Sequence, residues 1–195
     1  MTEPRPAQPD SPLAMGGDGW LRGARRLDSP HFDARPSAAL VELLVIHCIS
    51  LPPGRHGGGA IEDLFLGRID PASHPAFAGL AGLRVSSHFL IARDGALTQF
   101  VSCRDRAWHA GESRFEGRAS CNDFSLGVEL EGSECAPFSP AQYRRLRALL
   151  PVLERAFPLR AVRGHAEIAP ARKRDPGPFF DWSEIGRGCT GTGAT

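Results

Sequence analysis

The run from Val41 to Ile46 constrains this chain more than any other stretch. Val41-Glu42-Leu43-Leu44-Val45-Ile46 is short, almost continuously apolar and partly β-branched, the pattern of a strand buried on both faces. The segments around it supply the cover that such a strand needs. A loop with Pro52, Pro53 and Gly57-Gly58-Gly59 follows, then two short helical stretches, Ile61 to Leu66 and Pro71 to Leu83. Ser87 to Ala92 and Ala96 to Val101 flank Asp94-Gly95, a strong hairpin signal. Phe124 to Leu130 alternates as a further strand. Ser139-Pro140-Ala141-Gln142 opens a helix, with Ser139 as N-cap, Pro140 at the first helical position and Gln142 closing a capping box. Leu146, Leu149, Leu150 and Leu153 form its apolar stripe. Pro151 lacks a backbone donor and clashes with the turn before it, so a kink or restart is expected there. Ala161 to Arg163 is a last short strand, just before His165. This order indicates an α/β fold: a single domain with a mixed central β-sheet flanked by helices.

A length of 195 residues fits one domain with a substantial core. Its expected bounds are residues 18–186. Residues 1–17, with four prolines and two glycines, read as a disordered N-terminal tail, and residues 187–195, dominated by Gly and Thr, as a flexible C-terminal one. A formal net charge of +1 gives no field that would draw nucleic acid or a membrane surface. No run of ~18 apolar residues occurs, and residues 1–17 hold no signal-peptide core. The five cysteines are odd in number and scattered, with no CxxC pair, which suits reduced thiols in a cytoplasmic protein.

Of the seven histidines, two have a telling context. His47 ends the buried strand, at the edge of an α/β sheet where functional groups project into a crevice. His165 follows Gly164 and begins a loop that runs to Lys173-Arg174-Asp175-Pro176-Gly177-Pro178. There Pro176 and Pro178 stiffen the backbone around Asp175. Two imidazoles and one carboxylate make a catalytic zinc set, with the fourth tetrahedral position left for water. The spacing alone is weakly specific, since a turn-forming Asp-Pro-Gly without a metal fits the same residues. Cys121 with His109 and Asn122 offers the residue types of a cysteine hydrolase. The 23 basic residues include a single lysine, Lys173, two positions before Asp175.

Six motifs then occur in order: Leu44-Val45-Ile46-His47-Cys48-Ile49-Ser50, Arg84-Val85-Ser86-Ser87-His88-Phe89-Leu90, Arg106-Ala107-Trp108-His109-Ala110-Gly111, Cys121 to Gly132, Gly164-His165, and Arg172 to Pro178. Together they resemble the zinc N-acetylmuramoyl-L-alanine amidases of the AmpD type, from about Gly19 to Trp182. The resemblance implies the fold shared by these amidases and peptidoglycan recognition proteins. It implies one Zn2+ per chain held by His47, His165 and Asp175, with Glu129 as general base and Lys173 as transition-state stabiliser. Strand alternation puts Glu129 and Glu131 on one face and does not choose between them; the family motif favours Glu129. The implied substrate is a muropeptide, cut at the amide between (1,6-anhydro-)N-acetylmuramic acid and L-alanine during cytoplasmic peptidoglycan recycling. Its carboxylates and sugar call for an arginine clamp and an aromatic cover, expected at Arg84 and Trp108 with His109 beside them. His74 and His88 are expected to be structural. Cys48 and Ser120 stand where polar or basic residues are common. The alternative reading is a binding protein of the same fold that does not cut, but such relatives typically lose a zinc ligand and here all three positions are filled. No nucleic acid, membrane or obligatory protein partner is implied.

Overall fold

In the computed structural model, which describes residues 12–186, the apolar run becomes part of a six-stranded mixed sheet. Its strands are β1 (Arg25–Arg26), β2 (Leu43–Ile49), β3 (Phe89–Ile91), β4 (Leu97–Gln99), β5 (Ser125–Glu131) and β6 (Ala161–Gly164). They lie in the order β6-β2-β5-β3-β4-β1. Strands β6, β2, β5 and β3 are mutually parallel, β4 returns antiparallel to β3, and β1 pairs parallel with β4. Three helices cover the sheet: α1 (Ala60–Phe65), α2 (Pro140–Ala156) and α3 (His165–Ile168).

Alternation along β2 divides the core. Leu44 and Ile46, with Leu126, Val128 and Leu130 of β5, pack against Leu146, Leu149, Leu150 and Leu153 of α2. Leu43 and Val45 point the other way and meet Ala110, Cys121, Phe124 and Ile168 of α3. Leu90 of β3 meets Ile61, Leu64 and Phe65 of α1. Every residue of β5 is buried, which is why this strand carries so few exposed polar groups. No helix among the described residues is long and apolar enough to cross a membrane.

The local signals act as expected in two places. Gly95 takes φ 88° in the turn between β3 and β4, a left-handed conformation cheap only for glycine. Ser139 Oγ accepts from the Gln142 amide at 3.1 Å while Gln142 Oε1 accepts from the Ser139 amide at 3.0 Å, closing the capping box of α2.

Three expectations change. The stretch from Pro71 to Leu83 forms only a 3-10 turn over Pro75–Leu80, because Phe77 is its one buried anchor and Gly79 and Gly82 weaken anything longer. Helix α2 does not restart at Pro151 but continues through it. Pro151 lies on the exposed side, where water can satisfy the carbonyl that its ring leaves without a donor, while the leucine stripe holds both halves to the sheet. The N-terminal tail does not reach residue 17, since Ala14–Met15 pairs antiparallel with Leu21–Arg22 and Leu13 and Met15 pack against the core. Residues 1–11 and 187–195, where the rest of the two expected tails falls, lie outside the described residues.

Candidate metal centre

Strand register assembles the site. In the parallel pair β2–β5, His47 is aligned with Glu129, and in β6–β2, Gly164 is aligned with Ile46. One residue further along, His165, His47 and Glu129 therefore come level in the carboxyl-terminal halves of three adjacent parallel strands, towards the edge where open α/β sheets present functional groups. Aligned neighbours on parallel strands share a face, so His47 and Glu129 both project away from α2. Strand β2 continues to Ile49, so His47 lies within it rather than at its end.

Asp175 is brought in by its own backbone. Its carbonyl accepts from the Ala166 amide at the start of α3 at 2.9 Å. A Cβ on Gly164 would stand 2.8 Å from Pro176 Cδ, so glycine is what lets this segment close on the strand end. Arg172 ties the same loop across the site by donating to the carbonyls of Ala110 at 2.6 Å and Glu112 at 2.7 Å.

Three donor atoms converge as a result. His47 Nδ1 is 2.9 Å from His165 Nδ1, and each is 3.1 Å from Asp175 Oδ2. The second nitrogen of His165, Nε2, lies 3.1 Å from the Ala110 carbonyl, which can only accept, so Nε2 donates there and Nδ1 is the nitrogen left to face a metal. Burial pushes the His47 ring down to about 4, only partly opposed by Asp175. Burial raises the Asp175 carboxyl, but hydrogen bonds from His165 and His47 outweigh it and hold it well below the ordinary carboxylate range. A neutral imidazole and a carboxylate are the states in which these groups bind a metal. Separations of 2.9–3.1 Å are close to the roughly 3.3 Å between donors around a tetrahedral zinc with bonds of ~2.0–2.1 Å. The donor set fits a zinc ion.

The structure separates the two carboxylates that alternation leaves equivalent. Glu131 accepts from the Gly57 amide through Oε1 and from the Arg93 amide through Oε2, so its charge is spent on holding two loops. Glu129 Oε2 is buried with no hydrogen-bond partner among the described residues. Burial, reinforced by Asp175 and opposed by Lys173, holds the Glu129 carboxyl well above its ordinary range. No ion pair to the Lys173 ammonium is found among the described residues, and its charge is felt at both Glu129 and His47.

The expected substrate contacts divide. The Arg84 guanidinium lies over the Trp108 ring at 5.2 Å from its centre, and Trp108 is fixed by donating from Nε1 to Asp33 Oδ1 at 3.1 Å. Asp33 is in turn held by Arg106. Arg84 is exposed and Trp108 half-buried, so this pair is a surface platform, not core. His109 is placed differently from the expectation. Its Nδ1 lies 2.9 Å from His47 Nε2 and its Nε2 lies 3.2 Å from Ser125 Oγ, which leaves neither ring nitrogen for a substrate. A Cβ on Gly127 would stand 2.6 Å from His109 Cγ, so the ring reaches His47 only because that strand position is glycine. Ser125 and Gly127 sit in the motif from Cys121 to Gly132, yet nothing in their spacing signals a contact with residue 109.

The cysteine-hydrolase constellation is not formed. Cys121 is fully buried in an apolar cluster, burial raises its thiol, and Asn122 Oδ1 accepts from the backbone amides of His109 and Ala110. His88 Nδ1 accepts from the Gly127 amide at 3.0 Å and His74 Nδ1 from the Ala76 amide at 3.1 Å, which are structural tasks.

The family described as N-acetylmuramoyl-L-alanine amidase, Amidase_2, matches residues 37–178. The chain is 53% identical over 169 residues to the 1,6-anhydro-N-acetylmuramyl-L-alanine amidase AmpD of Escherichia coli strain K12, covering 86% of this chain and 92% of the relative. A crystal structure of a Se-Met AmpD derivative superposes with a TM-score of 0.84 at 52% identity, over 86% of this chain and 95% of that one. The E. coli amidase AmiD, in complex with anhydro-N-acetylmuramic acid-L-Ala-D-gamma-Glu-L-Lys, superposes with a TM-score of 0.55 at 28% identity, over 90% of this chain and 65% of that one.

Proposed function

This chain belongs to the Amidase_2 family of N-acetylmuramoyl-L-alanine amidases, and from that premise we propose that it is a zinc enzyme of peptidoglycan recycling that cuts 1,6-anhydro-muropeptides. The bond broken is the amide between the lactyl group of N-acetylmuramic acid and L-alanine. The observation that carries the reading is the convergence of His47 Nδ1, His165 Nδ1 and Asp175 Oδ2 level with a buried carboxylate, Glu129, whose Oε2 has no hydrogen-bond partner among the described residues.

His47, His165 and Asp175 would hold one Zn2+ per chain. When bound, the ion makes a water acidic enough to ionise near neutral pH and polarises the scissile carbonyl. Glu129 Oε2, which has no partner among the described residues, takes a proton from the attacking water and passes it to the L-alanine nitrogen as the C–N bond breaks. Its raised affinity for a proton, caused first by burial, suits a group that must both accept and return one. Lys173 places its ammonium against the charge that develops on the carbonyl oxygen. Arg84 and Trp108 form the platform for the peptide carboxylates and the sugar, with Arg84 lying across the indole.

A cytosolic location rests on the sequence, where the cysteines are odd in number and scattered with no CxxC pair. Chemistry, rather than binding alone, is supported by the complete donor set and by the orphaned Glu129. Metal analysis tests the reading: the purified protein should carry about one zinc per chain, because two imidazoles and a carboxylate leave the fourth position to water. The variant Asp175→Ala should carry almost none. A wild-type protein free of zinc, or an alanine variant with undiminished zinc, contradicts it.

A further inference from the structure

A histidine that binds metal through Nδ1 must carry its proton on Nε2, and something must accept that proton in a fixed direction. For His165 the Ala110 carbonyl does so. For His47 no carbonyl or carboxylate among the described residues stands at Nε2; the atom within reach is Nδ1 of His109, at 2.9 Å. We propose that His109 is a positioning residue for the metal centre, accepting the Nε2 proton of His47 and anchoring itself on Ser125. This inference rests on the zinc reading above.

The direction of the chain follows from counting protons. An imidazole with one ring proton offers one donor and one acceptor. If His47 Nε2 donates to His109 Nδ1, then His109 carries its proton on Nε2, and the Ser125 hydroxyl, 3.2 Å away, accepts it. The opposite arrangement would put the His47 proton on Nδ1, against Asp175, where the metal must bind.

Packing fixes the ring as firmly as the hydrogen bonds do. His109 meets His47 edge-on, with centroids 5.1 Å apart and planes at 85°, and meets His88 at 5.7 Å and 71°. Gly127 lies beneath it, where a Cβ would collide with Cγ and Nδ1. His88 is itself pinned to that strand by the Gly127 amide. A neutral acceptor also adds no further negative charge to a site that already holds Asp175 and Glu129.

Two variants of nearly equal shape separate the acceptor from the packing. His109→Asn keeps an oxygen near the place of Nδ1, whereas His109→Leu fills the space without an acceptor. Zinc affinity is measured by competition with a chelator, together with thermal unfolding of the metal-free proteins. The leucine variant should bind zinc about 10–100-fold more weakly than wild type, the usual cost of losing an outer-shell partner, and the asparagine variant within about 3-fold of it. The metal-free leucine variant should melt no lower than the asparagine one. Ser125→Ala, which leaves His109 in place, should weaken zinc binding about 3–10-fold and provides the test should the leucine variant fold poorly. Wild-type affinity in both His109→Leu and Ser125→Ala, or equal losses in the leucine and asparagine variants, overturns the inference alone. A wild-type chain that takes up no zinc overturns the parent reading and this inference with it.

Discussion

Glu129 and Glu131 sit two residues apart on one face of β5, and what separates them is only what each carboxylate touches. Glu131 accepts from the Gly57 and Arg93 amides, while Glu129 keeps a buried oxygen without a partner among the described residues. Replacing Glu129 by Gln should therefore leave zinc in place and slow turnover by about 10²–10⁴-fold, the span typical of a lost acid-base group. Glu131→Gln should keep most of the turnover and lower stability by about 1–3 kcal/mol, since it weakens two buried bonds to charge. Metal analysis, product formation and denaturant unfolding on the two variants read out both halves. Alternation shows that the two share a face. It does not show which one is spent, because Gly57 and Arg93 come from segments far along the chain. Lys173 is the lone lysine among 22 arginines, and its charge bears on both Glu129 and His47.

Among the elements, those with signals three or four residues apart were legible and those set by distant pairing were not. The capping box of α2 and the Asp94-Gly95 turn are local chemistry, and both form where the residues say. Ser139→Ala should cost about 1 kcal/mol of stability through loss of the cap, with turnover unchanged; denaturant unfolding alongside the product assay checks this. The continuity of α2 through Pro151 depends on which side faces water, a property of packing against the sheet. The level alignment of His165, His47 and Glu129 depends on the register of strands up to 118 positions apart in sequence. Residue context suggests His47 and His165 as a zinc pair, but only the resemblance to the amidases adds Glu129, and neither places His109 behind His47. That contact exists because Gly127 leaves room for it. Gly127→Ala should cost about 1–3 kcal/mol by overpacking the ring, read as a lower unfolding midpoint.

Across the whole molecule, the sheet holds polar chemistry in a place from which water is largely excluded, and that has a consequence for stability. The His47 ring titrates near 4 in the folded chain, chiefly through burial, against an ordinary 6.5. As pH falls, the unfolded chain takes up this proton first, so the metal-free protein should lose stability between about 6.5 and 4, on the order of 3 kcal/mol from this group. Zinc, which binds only the folded arrangement, should offset part of the loss. Denaturant unfolding at pH 7 and pH 5, with and without zinc, measures both effects.

The most direct measurement is mass spectrometry of the products formed from a 1,6-anhydro-N-acetylmuramyl peptide. The zinc-loaded chain should release the free peptide beginning with L-alanine and the intact anhydro sugar acid. Stripping the metal with a chelator should stop the release, and added zinc should restore it. Undigested substrate after long incubation with the zinc-loaded protein, or release that continues once all metal is removed, would contradict the account.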